Sequence, residues 1–366
     1  MVISASEPLS RDDQVQHLPR RPAKTTHFRA GRPARNAAAV GGASGDELLS
    51  AALAARAGLR ADARTTAFRI VHGAGDGVPG LVVEQLGDVL VAQVHLGRLA
   101  MEEGAVRGLC QAAAQQLAAR AVYRKIFPAD RSATRPDLEQ LHHDAHPWIG
   151  EPVEPEFPVL ENGLRLLVRP YDGFATGIFL EHRLNRQRIR ELARGRRVLN
   201  AFAYTCGFTV AAALGGAAST VSVDVAGKAL DWGRRNLEAN GVALTDHALI
   251  RADVFDYCRR AQRQQRTFDL IILDPPTLGR TRRPASVFSL AEDLDRLVAA
   301  VLPLLAADGL LLLCTNHRGT SHRRLEAAAQ AAAGQAGRSV AVVARPKLPA
   351  DFPGDPDYAK AVLLRL

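Results

Sequence analysis

The 366-residue sequence predicts an α/β protein, a doubly wound parallel sheet with a smaller N-terminal α+β domain in front of it. Three observations carry this. Residues 196–224 form a β-α-β unit: an apolar run at Val198-Leu199, a small turn reaching Gly207, an Ala-rich helix to Gly215-Gly216, then Thr220–Val223 ending on Asp224. Behind it, short apolar strands alternate with amphipathic helices, and strands apolar on both faces belong in a parallel sheet covered by helices. Ahead of residue 150 the pattern is instead strands joined by tight turns, with a helix among them.

The length allows two domains, each with its own core. The apolar share of 47% is ordinary, and 5% aromatic residues with abundant Ala suggest packing by small side chains. No apolar run approaches a membrane span, and Met1–Ser10 lacks the charged start and apolar block of a signal peptide. Cys110, Cys206, Cys258 and Cys314 stand far apart without a C-x-x-C pair, which argues against a zinc site and a disulfide framework and fits a reducing, cytoplasmic setting. The formal charge of +9 favours a polyanionic partner such as RNA.

In chain order, residues 1–45 are rich in Arg, Pro, Ala and Gly and bury too little to offset their ordering entropy; they read as a disordered basic leader, with Arg20, Arg21, Lys24, Arg29, Arg32 and Arg35 as its cations. The α+β domain, 46–155, opens with a helix over Glu47–Leu59. Strands follow at Thr66–Val71, Leu81–Gln85 and Val89–Val94, the last two turned by Gly87-Asp88. The glycines of 73–80 resemble a phosphate loop but lack its Lys-Ser/Thr and lead into a strand, so they read as a structural turn. A helix over Ala105–Ala119 and a strand at Ala121–Phe127 complete the domain. In that strand Arg124 reads as the exposed side. His142-His143 with His146 is not expected to be a metal site, because adjacent side chains on an extended chain point to opposite faces.

The domain 156–366 begins with a hairpin around Glu161-Asn162-Gly163 and Leu164–Val168. Thr176–Arg183 then leads into a basic helix ending at Arg194-Gly195. After the β-α-β unit come a helix at Gly227–Ala239, strands at Ala248–Arg251 and Phe268–Leu273, a helix over Phe288–Leu305, a strand at Leu310–Cys314, a helix at His322–Ala333, and strands at Ser339–Val343 and Ala359–Leu364.

Ligands of such sheets bind across the carboxyl ends of the strands. Those ends carry the Tyr204–Gly207 turn, Asp224, Asp253 and Asp274-Pro275-Pro276. A dinucleotide would require G-x-G-x-x-G in the first turn, and only Gly207 is present. A cofactor without phosphates needs a close turn for its amino-acid tail, an acid for its ribose and a polar group for its adenine, which suits S-adenosylmethionine. Two prolines stiffen the loop that sets Asp274 beside the reacting methyl.

From Glu47 onward the sequence resembles the class I S-adenosylmethionine-dependent ribosomal RNA methyltransferases. The group meant contains the large-subunit cytosine-C5 enzyme with an N-terminal PUA domain and the guanine-N7 half of a bifunctional enzyme. The motifs are Thr66–Gln93, Thr176-Gly-Ile-Phe-Leu-Glu-His-Arg183 (family K-T-G-x-F-L-D-x-R), Val198–Phe208 and Asp274-Pro-Pro. The resemblance implies a Rossmann-like methyltransferase fold. It assigns the turn at Tyr204, Thr205 and Gly207 to the methionine moiety, Asp224 to the ribose, Asp253 to the adenine amino group, and Thr176, Phe179 and Arg183 to closing the cofactor pocket, with Phe202, Val254 and Asp274 also on the cofactor.

Two departures follow. The region before Glu47 is too short and polar to be the PUA domain. At the family's C5 nucleophile position, seven residues past Gly309, stands Asn316; C5 methylation needs a thiolate to add to C6, and Cys314 lies two residues earlier inside the strand. By contrast, Asp274-Pro-Pro-Thr277 and Thr315-Asn-His-Arg-Gly319 resemble the guanine-N7 enzyme's D-P-P-T and N-N-K-R-G. The expectation is thus methylation of a base of large-subunit ribosomal RNA. Guanine N7 is favoured, with Asp274, Pro275, Pro276 and Asn316 catalytic and Thr277 and Arg318 on the substrate. Cytosine C5, a nicotinamide dehydrogenase and a non-catalytic RNA-binding protein are the alternatives. No metal is expected.

Overall fold

Two sheets carry the chain in the computed structural model, which describes residues 44–129, 140–282 and 285–366 and, within 280–286, backbone only. The expected leader lies outside the described residues apart from Ser44 and Gly45. Ser44 caps the first helix, Gly45–Ala55, in a reciprocal bond with Glu47.

The first sheet has the order β1 (Ala67–His72), β2 (Leu81–Leu86), β3 (Val89–His95), β4 (Ala121–Phe127), β5 (Ile149–Gly150). Its strands are antiparallel except β3 and β4, which are joined by the helix Glu103–Gln116 and run parallel. The helices at 45–55 and 103–116 bury Leu49, Leu53, Val106 and Leu109 on one face. The opposite face shares a core with the hairpin β6 (Phe157–Glu161) and β7 (Leu164–Val168) and with Phe352. The glycine-rich turn is structural: Gly77 and Gly80 take φ of +76° and +84°, and Asp76 forms a 2.6 Å ion pair with Arg56.

The second sheet has the order β10-β9-β8-β11-β14-β16-β15. Its strands are β8 (Arg197–Ala201), β9 (Ser219–Asp224), β10 (His247–Arg251), β11 (Phe268–Leu273), β14 (Leu305–Thr315), β15 (Ala341–Ala344) and β16 (Lys360–Arg365). The first five in that order are mutually parallel. The uniformly parallel expectation fails at β16, which pairs antiparallel with both β14 and β15. β8 lies between β9 and β11, so the winding reverses there, where doubly wound sheets bind ligands. Register aligns the strand ends: Ala201 lies opposite Val223 and Leu273, and Leu273 opposite Leu313.

A second difference follows β11. The helix expected from Phe288 begins at Leu290, because residues 278–289 form an antiparallel hairpin, β12 (Leu278–Arg282) and β13 (Ala285–Ser289). Phe288 is held in it opposite Gly279, its ring 5.6 Å from that of Phe202. No helix among the described residues is long and apolar enough to cross a membrane.

The loop ahead of β16 ties distant segments together through Asp351, which has no exposed surface. Its carboxylate receives the Arg183 guanidinium and, at 2.8 Å, the backbone N–H of Arg69, while its carbonyl accepts from Arg56 Nη2 at 3.2 Å. Arg69 pairs with Glu84 at 2.7 Å and lies over the Phe352 and Tyr358 rings at 4.3 and 4.8 Å. Removing one partner of such a pair strands a buried charge. Asp351→Ala is therefore expected to cost about 3–5 kcal/mol, read as a lower urea midpoint, and pairing Asp351→Leu with Arg183→Met should recover part of the loss. An unchanged midpoint in Asp351→Ala would contradict this.

Candidate active site

The turn after β8 is built from left-handed residues that are not glycine. Phe202, Tyr204 and Cys206 have φ of +60°, +48° and +62°. Each such residue costs about 1–3 kcal/mol unless its surroundings hold it. The surroundings do so through backbone and side-chain bonds. Asp224 Oδ2 accepts the Tyr204 N–H at 2.8 Å and its Oδ1 the Ala226 N–H at 2.8 Å. Asn236 Nδ2 donates to the Thr205 carbonyl at 2.8 Å, and Thr205 Oγ1 donates to the Gly177 carbonyl at 2.7 Å. Burial pushes the Asp224 carboxyl above its ordinary range, against backbone N–H groups that favour its anion. Gly207 then starts the helix Gly207–Leu214. The first N–H groups of a helix have no partner within it and suit an amino-acid carboxylate.

The segment 176–183 packs onto this turn. Gly177 has φ +103° and lies so close to Trp232 that a Cβ would fall 2.2 Å from Cζ2. The Phe179 ring, about two-fifths exposed, sits 5.3 Å from that of Tyr204. Thr176 is buried and its carbonyl accepts from the Arg169 N–H at 2.9 Å. Arg183, at the end of the segment, directs its guanidinium to Asp351.

The remaining expected residues follow the other parallel strands. Asp253 caps the helix Val254–Arg263 by accepting from the Phe255 and Asp256 N–H groups at 2.9 and 3.2 Å through one oxygen, and Val254 is buried beneath it. Asp274, on the loop after β11, lies with Oδ2 3.2 Å from His182 Nε2. Pro275 is buried, Pro276 is exposed, and Thr277 Oγ1 donates to Asn316 Oδ1 at 2.8 Å, joining the loops after β11 and β14. Arg318, expected on the substrate, forms an ion pair with Asp355, with Nη1 2.9 Å from Oδ1, and its side chain is half exposed.

Four residues the sequence reading did not single out complete the arrangement: His182, Asn185, Trp232 and Asn236. His182 lay inside the quoted motif beside Glu181 and Arg183 but had no visible partner. Trp232 and Asn236 sit four apart on the helix Gly227–Ala239, a spacing that places both on one face. Trp232 Nε1 donates to the Leu167 carbonyl at 3.0 Å and Asn236 Oδ1 accepts the Leu167 N–H at 2.8 Å, so the helix grips β7 and the turn together.

A family model described as S-adenosylmethionine-dependent methyltransferase matches residues 69–365. A ribosomal RNA large subunit methyltransferase of Deinococcus radiodurans is 34% identical over 333 residues, covering 87% of this chain and 78% of that protein. Ribosomal RNA large subunit methyltransferase K of Neisseria meningitidis serogroup B is 41% identical over 163 residues; the match covers 44% of this chain and spans 46% of that relative's length. A crystal structure of a methyltransferase complexed with SAH superposes with a TM-score of 0.76 at 28% identity, covering 88% of this chain and 81% of that one.

The Gly177 contact makes a direct test. Gly177→Ala forces the segment 176–183 off the turn, and affinity for S-adenosylhomocysteine in calorimetry is expected to fall at least about tenfold, or about 1.4 kcal/mol. Undiminished affinity would show that this contact does not shape the cofactor site.

Proposed function

Because the chain belongs to the family of S-adenosylmethionine-dependent methyltransferases, we propose that it transfers the methyl group of that cofactor to a base of large-subunit ribosomal RNA, with guanine N7 as acceptor. The cofactor lies across the switch point. The turn 202–207 takes its methionine part, Asp224 its ribose hydroxyls, and Asp253 and Val254 its adenine, with Thr176 and Phe179 at the pocket's edge. The α+β module of residues 46–155 serves in RNA binding.

The observation that carries the acceptor is the pairing of Thr277 with Asn316 beside Asp274, where a C5 enzyme needs an accessible thiol. All four cysteines are buried. Cys314, on β14, has no exposed surface, and burial raises its thiol pKa, the reverse of what activates a nucleophile. Guanine N7 needs no adduct, because its lone pair attacks the methyl carbon in line with the departing sulfur. The protein must hold the two in line and offset the positive charge that develops on the base. Asp274 supplies the negative charge that offsets it and accepts from the guanine edge, and Asn316 positions the base. A base in a stem must first be flipped out to reach them. The charge of +9 favours a polyanionic substrate.

Nucleoside mass spectrometry of unmodified large-subunit ribosomal RNA incubated with the protein and S-adenosylmethionine is expected to show 7-methylguanosine. The appearance of 5-methylcytidine would move the acceptor to cytosine, and no methylated nucleoside would remove the RNA reading. Asp274→Ala should lower transfer by about two to three orders of magnitude, as loss of a transition-state charge partner does, with cofactor affinity kept. Cys314→Ser should retain transfer, and its abolition would restore the covalent C5 route.

A further inference from the structure

One buried cluster has no part in the roles assigned so far. His182 stands at the start of the helix Arg183–Leu192, outside the strand ends, and is 4% exposed. Its imidazole is contacted on every polar edge. Nε2 faces Asp274 Oδ2 at 3.2 Å, and Nδ1 faces the Asn185 amide at 3.0 Å. The Cys314 thiol approaches from β14 as a third polar neighbour. The Phe208 ring packs on it at 5.4 Å.

We infer that His182 is a positioning residue for the methyl transfer: its Nε2–H clamps one oxygen of Asp274 and so fixes the plane in which the other meets the substrate base. This rests on the role proposed for Asp274. The clamp is needed because Asp274 ends a strand and begins a loop, with a side chain 22% exposed, where a free carboxylate would rotate between orientations. His182 cannot rotate in turn, since Asn185, three residues on and on the same helix face, occupies its other nitrogen.

The charge of the ring is consistent with this geometry. Burial disfavours the imidazolium, but the Asp274 carboxylate outweighs burial and raises the His182 pKa well above the usual value. Asn185 Oδ1 has no hydrogen-bond partner among the described residues. Turned over, the same amide accepts Nδ1–H from a doubly protonated ring, so the surroundings accommodate imidazolium. The other ionisable neighbours are Glu181, buried next to it in the chain, and Cys314. Glu181 is itself pushed up by burial, which leaves Asp274 as the carboxylate within ion-pair distance of the ring.

The test compares His182→Ala, His182→Gln and Asp274→Asn in the full chain, with unmodified large-subunit ribosomal RNA as substrate. His182→Ala should lower kcat about 10- to 100-fold, the usual loss when a partner behind an active group is removed, with the KM for S-adenosylmethionine and its affinity unchanged. His182→Gln, which keeps an N–H donor, should recover most of kcat. Nitrogen-15 spectra of the wild-type ring should show an imidazolium at pH 7.5, and Asp274→Asn should convert it to neutral imidazole. The spectral arm remains decisive if His182→Ala fails to fold. Wild-type kcat in His182→Ala overturns the inference. So does a parallel fall of kcat, cofactor affinity and melting temperature without recovery in His182→Gln, as a purely structural residue would give. Failure of the underlying reading looks different: Asp274→Asn then transfers methyl normally while the ring signature still responds to it.

Discussion

The site depends on a backbone shape that the chain does not adopt by itself. Alternating left-handed residues at Phe202, Tyr204 and Cys206 fold the end of β8 back on itself before the helix at Gly207. Glycine would make such a turn cheap, but this sequence has side chains at all three positions. Asp224 therefore braces the turn through Tyr204 while also ordering the start of the next segment through Ala226. Thr205 and Asn236 attach the same turn to its two other neighbours. A carboxylate, a hydroxyl and an amide thus perform what glycines do in a dinucleotide fold, and they leave polar side chains around the pocket instead of bare backbone.

Much of this was legible in the sequence because it is local. Strands β4 and β11 begin and end where the apolar runs do, and Asp224 is marked by its place at the end of β9. What was not legible lies in pairings across long stretches of chain. A run such as Val362-Leu363-Leu364 reads equally well parallel or antiparallel, and only its fit beside β14 decides. The hairpin at 278–289 was hidden because Phe288 and Leu290 also satisfy a helical period. The pairing of Arg183 with Asp351 and of Arg318 with Asp355, far along the chain, leaves no local mark in the sequence.

The stretch from His182 to Arg186 shows how the two halves of the site are joined. Its three buried basic side chains are directed to three separate carboxylates: His182 to Asp274 on the loop after β11, Arg183 to Asp351 in the C-terminal loop, and Arg186 to Glu161 in the hairpin, the last at 2.6 Å. Buried pairs of this kind add little net stability over apolar packing, but each tolerates only one arrangement. The helix is thereby keyed in place, and with it the preceding segment Thr176–Phe179.

The Asp351 junction also imposes an order in time. During synthesis Arg69 and Arg183 emerge 282 and 168 residues before the carboxylate that receives them. N-terminal segments begin to fold as they leave the ribosome, so the Arg69 backbone N–H and the Arg183 guanidinium wait for their common partner until translation has nearly finished. One of the last segments to arrive therefore completes the tie between the first sheet and the helix Arg183–Leu192.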